Sequence, residues 1–224
     1  MGRPATCMSR LPEASARRCG ACVSSSAIWC CRAGPILSTR TLLLPRSRTI
    51  GKINLQRGAT EAVIAAPGGA IRVYSLHLDH VSPDERIHQL QFLNAHINAF
   101  VQEGGSLTGG GELDLPEPPL PEDYLVMGDF NMEPESPEYC ALAGAGGGYY
   151  GRITRIGTPI DAFAALDAYR PDSYSWMNPE DHSERMHLDY CFVSCGLKDR
   201  LKSARIDTQS VGSDHFPLWV EIGD

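Results

Sequence analysis

The stretch that most restricts how this chain can fold is Tyr124-Leu-Val-Met-Gly-Asp-Phe-Asn131. Its apolar and aromatic beginning predicts a short buried strand, and Gly128 lets the backbone turn sharply after that strand. Asp129 and Asn131 then follow the strand, where a side chain is held rigidly but stays accessible to solvent. A carboxylate and an amide suit contacts with a metal ion or a phosphate. The structural alternative is an ordinary turn, because Gly, Asp and Asn are common turn residues.

Three further strand patterns carry polar residues at one end. One pattern ends at His77, a second begins at Asp189, and a third begins directly after the pair Asp214-His215. Histidine and aspartate at strand ends are candidates for acid–base chemistry and for metal contacts. Each residue taken alone is more often a cap or a surface group.

Four short motifs occur in a fixed order between residues 75 and 217: Ser-x-His-Leu, Gly-Asp-Phe-Asn, Leu-Asp-Tyr-x-Phe-Val-Ser and Ser-Asp-His-Phe-Pro. In this order they resemble the endonuclease/exonuclease/phosphatase superfamily, whose members share the DNase I-like fold. The resemblance implies an α+β fold, a DNase I-like four-layer β-sandwich flanked by helices. It also implies a metal-dependent phosphoester hydrolase, with phosphodiesters as the expected substrates.

The resemblance assigns catalytic roles to residues at these motifs. It makes His215 the general base, and Asp189 the carboxylate that orients the imidazole and raises its basicity. Asn131 would hold a phosphate oxygen. His77 would donate to the scissile phosphate from the opposite wall of the site.

A metal site is implied on the side of the attacking water. The resemblance places Asp129 and Asp214 there, so both are expected catalytic residues and metal ligands. Mg²⁺ is the expected ion because hard carboxylate and amide oxygens with retained waters suit it. Mn²⁺ is expected to substitute for it.

The chain departs from the superfamily in its first part. Members carry an asparagine and a metal-binding glutamate on two strands before the first histidine motif, and residues 1–57 contain no match for either. Glu13 lies in a stretch without a strand pattern, and Glu61 follows the place where the glutamate belongs. We therefore expect a sandwich that is incomplete at its N-terminal strands. The alternative to a hydrolase is a catalytically impaired, truncated fragment that at most binds partners.

Residues 1–48 differ in composition from the rest of the chain. They hold eight arginines and a single acidic residue, are rich in serine and cysteine, and show neither helical nor strand periodicity. We predict a disordered leader here and an endonuclease/exonuclease/phosphatase-like domain at residues 49–224. The composition of the leader resembles that of an organelle transit peptide. The alternative is that residues 1–48 are not native coding sequence. The expected location is accordingly the cytoplasm, or an organelle if residues 1–48 direct import.

Charge and hydropathy restrict the partners. The net charge of −7 argues against broad electrostatic capture of nucleic acid, which needs a positive surface. No apolar run approaches the roughly 18 residues that a membrane-spanning helix needs. The substrate therefore stays open between nucleic acid, phospholipid and inositol phosphate. We expect a monomer.

The element pattern agrees with a layered fold. Thr60–Ala66 and Ala70–Leu76 predict a hairpin, and a capping box at Ser82 predicts a helix that ends at Gly104. Thr158 predicts the start of another helix, which runs to about Tyr169. The region from 104 to 123 is predicted to be an exposed loop because of its glycines and prolines.

Other histidines and the tryptophans receive no catalytic role. Solvent exposure is expected for the two histidines of the predicted helix, and His187 is a candidate neighbour of the site because it lies close to Asp189. Trp176 and Trp219 are expected to be core or rim aromatics. The histidines left unassigned are His80, His88, His96 and His182.

Overall fold

The computed structural model describes residues 19–24, 27–31, 34–51 and 53–223, and for 19–24 and 27–31 it describes the backbone alone. The strands are β1 (Cys19–Ser24), β2 (Ala27–Cys31), β3 (Ile36–Leu43), β4 (Gly58–Ala66), β5 (Gly69–His77), β6 (Tyr124–Asp129), β7 (Ile160–Asp161), β8 (Trp176–Met177), β9 (Arg185–Met186), β10 (Asp189–Val193), β11 (Leu201–Ile206) and β12 (Leu218–Ile222). The helices are α1 (Pro83–Glu103), α2 (Pro137–Ala143) and α3 (Ala162–Ala165), with 3₁₀ turns at Gly110–Leu113 and Cys195–Arg200.

A mixed sheet of six strands, in the order β3-β4-β5-β6-β10-β7, forms the centre of the fold. The predicted hairpin is confirmed as the antiparallel pair β4 and β5. β5 and β6 are parallel, because α1 carries the chain back to the same edge of the sheet between them. All six residues of β6 are buried, as the apolar run predicts for a central strand.

Helix α1 covers one face of this sheet. The predicted start is confirmed, since the Ser82 hydroxyl accepts a hydrogen bond from the Glu85 backbone N–H, and the helix ends at Gly104 with φ of 80°. The reciprocal half of the capping box is absent: the backbone N–H of Ser82 donates to Asp79, and the Glu85 carboxylate accepts from the N–H of Ser47. Within the described residues, neither α1 nor another helix has the length and apolar character needed to cross a membrane.

The two histidines of α1 have different surroundings. His88 is exposed, as predicted. The prediction was wrong for His96, whose Nε2 lies 2.7 Å from Arg40 Nη2 and 3.4 Å from Glu61 Oε2. The buried carboxylate of Glu61 draws these two side chains together, because a buried charge needs polar partners.

A second sheet, in the order β11-β12-β1-β2, packs against the first. A buried apolar cluster joins the two, with Val73, Leu125 and Met127 from the central sheet and Leu218 and Val220 from the second. Another cluster fills the space between the central sheet and helices α1 and α2. The predicted α+β sandwich with flanking helices is thereby confirmed, and the described residues supply three of its layers.

The N-terminal part of the chain contains strands where disorder was predicted. β3, which falls inside the predicted leader, pairs antiparallel with β4 along the edge of the central sheet. β1 likewise pairs with β12, so the second sheet includes N-terminal strands. An edge strand such as β3 is held by backbone hydrogen bonds and only partly buried, so its side chains need no clear alternation of apolar and polar residues. Residues 1–18 of the predicted leader lie outside the described residues.

The helix predicted from Thr158 to Tyr169 is much shorter in the structure. Asp161, not Thr158, is the N-cap, and its carboxylate accepts from the backbone N–H of Phe163. The two residues of β7, Ile160 and Asp161, are extended because they pair with β10. Asp167 then adopts φ of 49°, which ends the helix early. Tertiary pairing has therefore overridden the local helix signal.

Candidate active site

The ends of three adjacent strands bring the predicted residues together. β5 and β6 run parallel, so His77 and Asp129 are register partners at their carboxyl ends. β10 runs antiparallel to β6, and this places Asp189 opposite Asp129. Side chains from distant parts of the sequence thus meet at one edge of the central sheet.

His215 and Asp189 form the tightest contact of the site. His215 Nδ1 lies 2.7 Å from Asp189 Oδ2, and Asp189 is fully buried. Burial alone would lower the pKa of His215, but the hydrogen bond and the charge of Asp189 outweigh it and raise that pKa above 6.5. With Nδ1 held in this way, the Nε2 atom faces Asp129, whose Oδ2 lies 3.8 Å away. This arrangement leaves one imidazole nitrogen free to exchange a proton.

Asp129 is a buried carboxylate between two histidines. Its Oδ2, which faces His215, also lies 3.2 Å from His77 Nε2. Burial and the nearby negative charge of Asp189 raise the pKa of Asp129 to about 6. Ionised Asp129 therefore has too little positive charge around it, and a cation at this place would be favoured.

Asn131 is held with a left-handed backbone next to Asp129. Its φ is 50°, and its backbone N–H donates to Asp129 Oδ1 at 2.9 Å. Its side-chain amide donates to the carbonyl of Leu78, the residue after His77, at 3.2 Å. The same amide also donates to Asp129 Oδ2 at 3.4 Å, so a phosphate oxygen would replace one of these two acceptors.

Asp214 is the most exposed of the six predicted residues. Its Oδ2 accepts a hydrogen bond from the indole N–H of Trp176 at 3.0 Å, and its Oδ1 lies 3.5 Å from the Ser213 hydroxyl. Its charge also contributes to the raised pKa of His215. The structure thus places Asp214 beside the site, with its carboxylate bound to Trp176.

Three functional residues carry no signal in the sequence. Ser175 is fully buried, and its hydroxyl accepts from the backbone N–H groups of Leu188 and Asp189, which fixes the start of β10. Trp176 holds Asp214. Burial and then the positive charge of Arg57 lower the pKa of His77 to about 4. Arg57 also acts on Asp129, where it only partly offsets the effect of burial that raises the pKa of that carboxyl.

His187 does not join this group, although it precedes Asp189 by two residues. Its ring packs edge-on against Phe163, Tyr169 and Tyr190, and neither ring nitrogen has a hydrogen-bond partner within the described part of the chain. Burial lowers the pKa of His187 to about 4, so it is a neutral aromatic core residue at physiological pH. Of the unassigned histidines, His80 contacts Arg57 at 2.9 Å and therefore borders the site.

The oxygen atoms of these side chains determine whether the site can bind a divalent cation. Among the described residues, no group of three or more His, Cys, Asp and Glu side chains is arranged to hold a metal. Mg²⁺, however, commonly takes one or two carboxylates and completes its shell with water and substrate phosphate. Asp129 is under-compensated, and the buried Oδ1 of Asp189 has no hydrogen-bond partner among the described residues. Hard oxygens in this electrostatic setting fit Mg²⁺.

Replacing Asp129 by asparagine is expected to stabilise the protein in EDTA at pH 7. The folded-state pKa of about 6 exceeds the ordinary 3.8, so unfolding releases protons between these values and the stability of the wild type falls as pH rises through this window. At 1.36 kcal/mol per pKa unit the cost at pH 7 is about 3 kcal/mol at most. Urea unfolding should show a gain of about 1–3 kcal/mol for Asp129→Asn at pH 7 and a much smaller one near pH 4.

The matched control is Asp172→Asn, because Asp172 is exposed. This variant should change the free energy of unfolding by less than about 0.5 kcal/mol at either pH. A gain for Asp129→Asn that is the same at both pH values would contradict the electrostatic account of this site.

The family comparison agrees with this geometry. The profile of the family described as Endonuclease/Exonuclease/phosphatase matches residues 56–215. No curated protein sequence matches the chain. The matched residues include all six positions at which the sequence motifs place functional side chains.

Solved structures share the fold at low sequence identity. An endonuclease/exonuclease/phosphatase family protein from Bacteroides thetaiotaomicron has a TM-score of 0.56 at 15% identity, over 88% of this chain and 66% of its own. The human nocturnin catalytic domain, solved with a bound sulfate anion, has a TM-score of 0.54 at 17% identity, over 87% and 61%. A mannosyl-6-phosphatase from Bacteroides thetaiotaomicron has a TM-score of 0.55 at 18% identity, over 88% and 70%. The chain therefore spans less than two thirds of the length of the first two structures.

Proposed function

Because the chain belongs to the endonuclease/exonuclease/phosphatase family, we propose that it is a divalent-metal-dependent phosphoester hydrolase. The observation that carries the proposal is the pair of His215 and Asp189, joined at 2.7 Å with the second imidazole nitrogen facing Asp129. A carboxylate that fixes one ring nitrogen of a histidine leaves the other as a base. Such a pair activates water for attack on an ester.

His215 acts as the general base in this proposal. Asp189 accepts a hydrogen bond from the Nδ1–H of His215, which leaves Nε2 unprotonated and able to take a proton from the attacking water. Since Asp189 is fully buried and its backbone N–H is bonded to Ser175, the tautomer and the orientation of the ring are both held. The proton of water moves to His215 Nε2 as the new oxygen–phosphorus bond forms and the ester oxygen–phosphorus bond breaks. The leaving alkoxide takes a proton from solvent and departs as the alcohol.

Nitrogen donors beside Asp129 bind the phosphate in this proposal, and Arg57 is the cationic one among them. His77 and Asn131 present nitrogen donors beside Asp129, and Arg57 adds a guanidinium charge. Donors that face the developing negative charge stabilise the transition state more than the ground state. We assign phosphate binding to these three side chains.

Mg²⁺ is the proposed ion, with Asp129 and Asp214 as the side chains that would hold it, and Mn²⁺ as its substitute. When bound, it neutralises phosphate oxygens and lowers the pKa of bound water. The raised pKa of Asp129 supports this assignment, because a nearby cation would restore the ionised carboxylate.

The substrate class is a phosphoester, with nucleic acid, phospholipid and inositol phosphate as the candidates. Proteins that share the fold include one named a mannosyl-6-phosphatase and a zebrafish TDP2 solved with a single-stranded DNA product, so the fold accommodates both sugar phosphate and nucleic acid. The net charge of −7 favours a small phosphoester over long nucleic acid. We further propose a cytoplasmic monomer.

A phosphoester panel tests the proposal. The panel comprises single- and double-stranded DNA, RNA, a phospholipid, a sugar phosphate and a chromogenic diester, each with Mg²⁺ or EDTA. We expect turnover of at least one substrate with Mg²⁺ and its loss in EDTA, because the carboxylate site needs a cation to bind phosphate. A chain that melts cooperatively but hydrolyses none of them would favour the catalytically impaired alternative.

A further inference from the structure

The segment Ser175-Trp176-Met177 is hydrogen-bonded to the segment that carries Asp214 and His215. The Ser175 carbonyl accepts from the Phe216 N–H at 2.7 Å, and the Met177 N–H donates to the Asp214 carbonyl at 3.0 Å. Trp176 thereby pairs with His215 as an isolated antiparallel bridge. The backbone of Trp176 is fixed against the segment that carries Asp214 and His215.

The side chain of Trp176 adds a specific polar contact to this bridge. Its indole N–H donates to Asp214 Oδ2 at 3.0 Å. Because Asp214 is exposed, its carboxylate depends on hydrogen bonds for a fixed rotamer. The indole holds one carboxylate oxygen in place, and the other, Oδ1, lies on the side of the Ser213 hydroxyl.

The use of the indole N–H distinguishes Trp176 from the other tryptophan whose side chain the structure describes. Trp219, on β12, shows the contrast: its indole nitrogen is buried and has no hydrogen-bond partner among the described residues. Its ring packs under the guanidinium of Arg205 at 5.2 Å. Trp219 thus contributes aromatic surface alone, whereas Trp176 contributes a donor aimed at a carboxylate of the site.

We propose that Trp176 is a positioning residue that fixes the carboxylate of Asp214 for a divalent cation. The proposal rests on the phosphoester hydrolase function proposed above. A donor bonded to a metal-binding carboxylate orients that carboxylate and limits its rotation, and loss of such a partner typically weakens metal affinity by about 10–100-fold. Trp176 acts through Asp214 and touches no reacting atom.

Trp176→Phe tests the consequence for metal binding. Phenylalanine keeps an aromatic ring on β8 and removes the N–H donor. Calorimetric titration of the full chain with MgCl₂ alone should give a Kd about 10-fold higher than that of the wild type. Trp219→Phe is the control, since it shortens a tryptophan with no N–H partner, and it should leave the Kd unchanged. An unchanged Kd in Trp176→Phe would overturn the proposal.

The hydrogen bond itself has a readout that needs neither metal nor activity. In ¹H–¹⁵N spectra recorded in EDTA, the Trp176 indole resonance should move downfield relative to that of Trp219, because it donates to a carboxylate. Asp214→Ala should shift the Trp176 resonance upfield and leave the Trp219 resonance in place. A Trp176 resonance that ignores Asp214→Ala would overturn the positioning role.

Failure of the proposed function is distinguishable from failure of this inference. If the wild type shows no saturable binding of Mg²⁺, the metal-dependent function fails, and the role of Trp176 toward a cation fails with it. If the wild type binds Mg²⁺ and Trp176→Phe binds it equally well, the function stands and the positioning role alone is lost. Melting temperatures measured for each variant separate both results from unfolding.

Discussion

Replacing His215 by alanine is expected to lower kcat/KM by about 10²–10⁴-fold, the usual contribution of a positioned general base. The Nδ1 atom of His215 is bonded to the Asp189 carboxylate, and its Nε2 atom faces Asp129. Water would then have to lose its proton without assistance. Initial rates on the best substrate of the panel, with thermal melts of each variant, measure the effect.

His88→Ala is the matched control, because His88 is exposed on α1 and away from these contacts. It should retain the activity of the wild type. Asp189→Asn should lose activity to a similar degree as His215→Ala, and the double variant should be little worse than either, because the two residues act as a unit. Full activity in a folded His215→Ala protein would remove the assignment of the base.

The pH dependence of the wild type offers a second check on His215. The base must be neutral to accept a proton, and Asp189 raises its pKa above 6.5 after offsetting the effect of burial. Activity should therefore rise as pH increases through a value above 6.5. A rate that is flat between pH 5 and pH 9 would mean that another group takes the proton.

Replacing Arg86 by alanine is expected to destabilise the protein by roughly 3–5 kcal/mol, the usual cost of leaving a buried charge without its partner. Arg86 Nε and Nη2 both donate to Glu138 Oε1, at 3.0 and 2.5 Å, and both residues are buried between α1 and α2. Arg86 Nη1 also donates to the carbonyl of Asp79 at 3.1 Å. The variant leaves the buried Glu138 carboxylate without its cationic partner. Urea unfolding at pH 7 measures the change.

Two comparisons separate this buried pair from a generic loss of charge. The pair of Arg152 and Glu135 should cost at most about 1 kcal/mol when Glu135 becomes alanine, because the Glu135 side chain is exposed and water screens it. The double variant Arg86→Leu/Glu138→Leu should recover most of the loss, since apolar groups of similar volume often replace a buried pair without cost. A loss below about 1 kcal/mol for Arg86→Ala would show that Glu138 finds other partners.

The contact network of Arg86 also joins the two loops of the site. Asp79 follows His77 by two residues, and its backbone N–H donates to Gln89 Oε1 on α1. Glu138 lies in the first turn of α2, after the Asn131 loop. The buried pair therefore ties the His77 loop to the Asn131 loop through two helices, and its loss should reduce activity as well as stability.

Short-range features of the fold were predictable because their causes are local. The strand before Asp129 follows from a run of apolar residues, and α1 follows from a Ser82 cap, a periodic apolar face and a terminal Gly104. Each of these signals is contained within about one element of sequence. The edge strand β3 had no such signal, since backbone pairing with β4 holds it and its side chains are only partly buried.

By itself, the sequence determined the family, the central strands and the candidate side chains of the proposed site. Strand ends carry His77, Asp129 and Asp189 to one edge of a sheet, and the motifs marked each of them. The tertiary structure alone decided which partners hold them. The contact of Trp176 with Asp214 joins residues 38 positions apart, and that of Arg86 with Glu138 joins residues 52 positions apart. Such contacts depend on how the layers pack, which no local pattern of residues encodes.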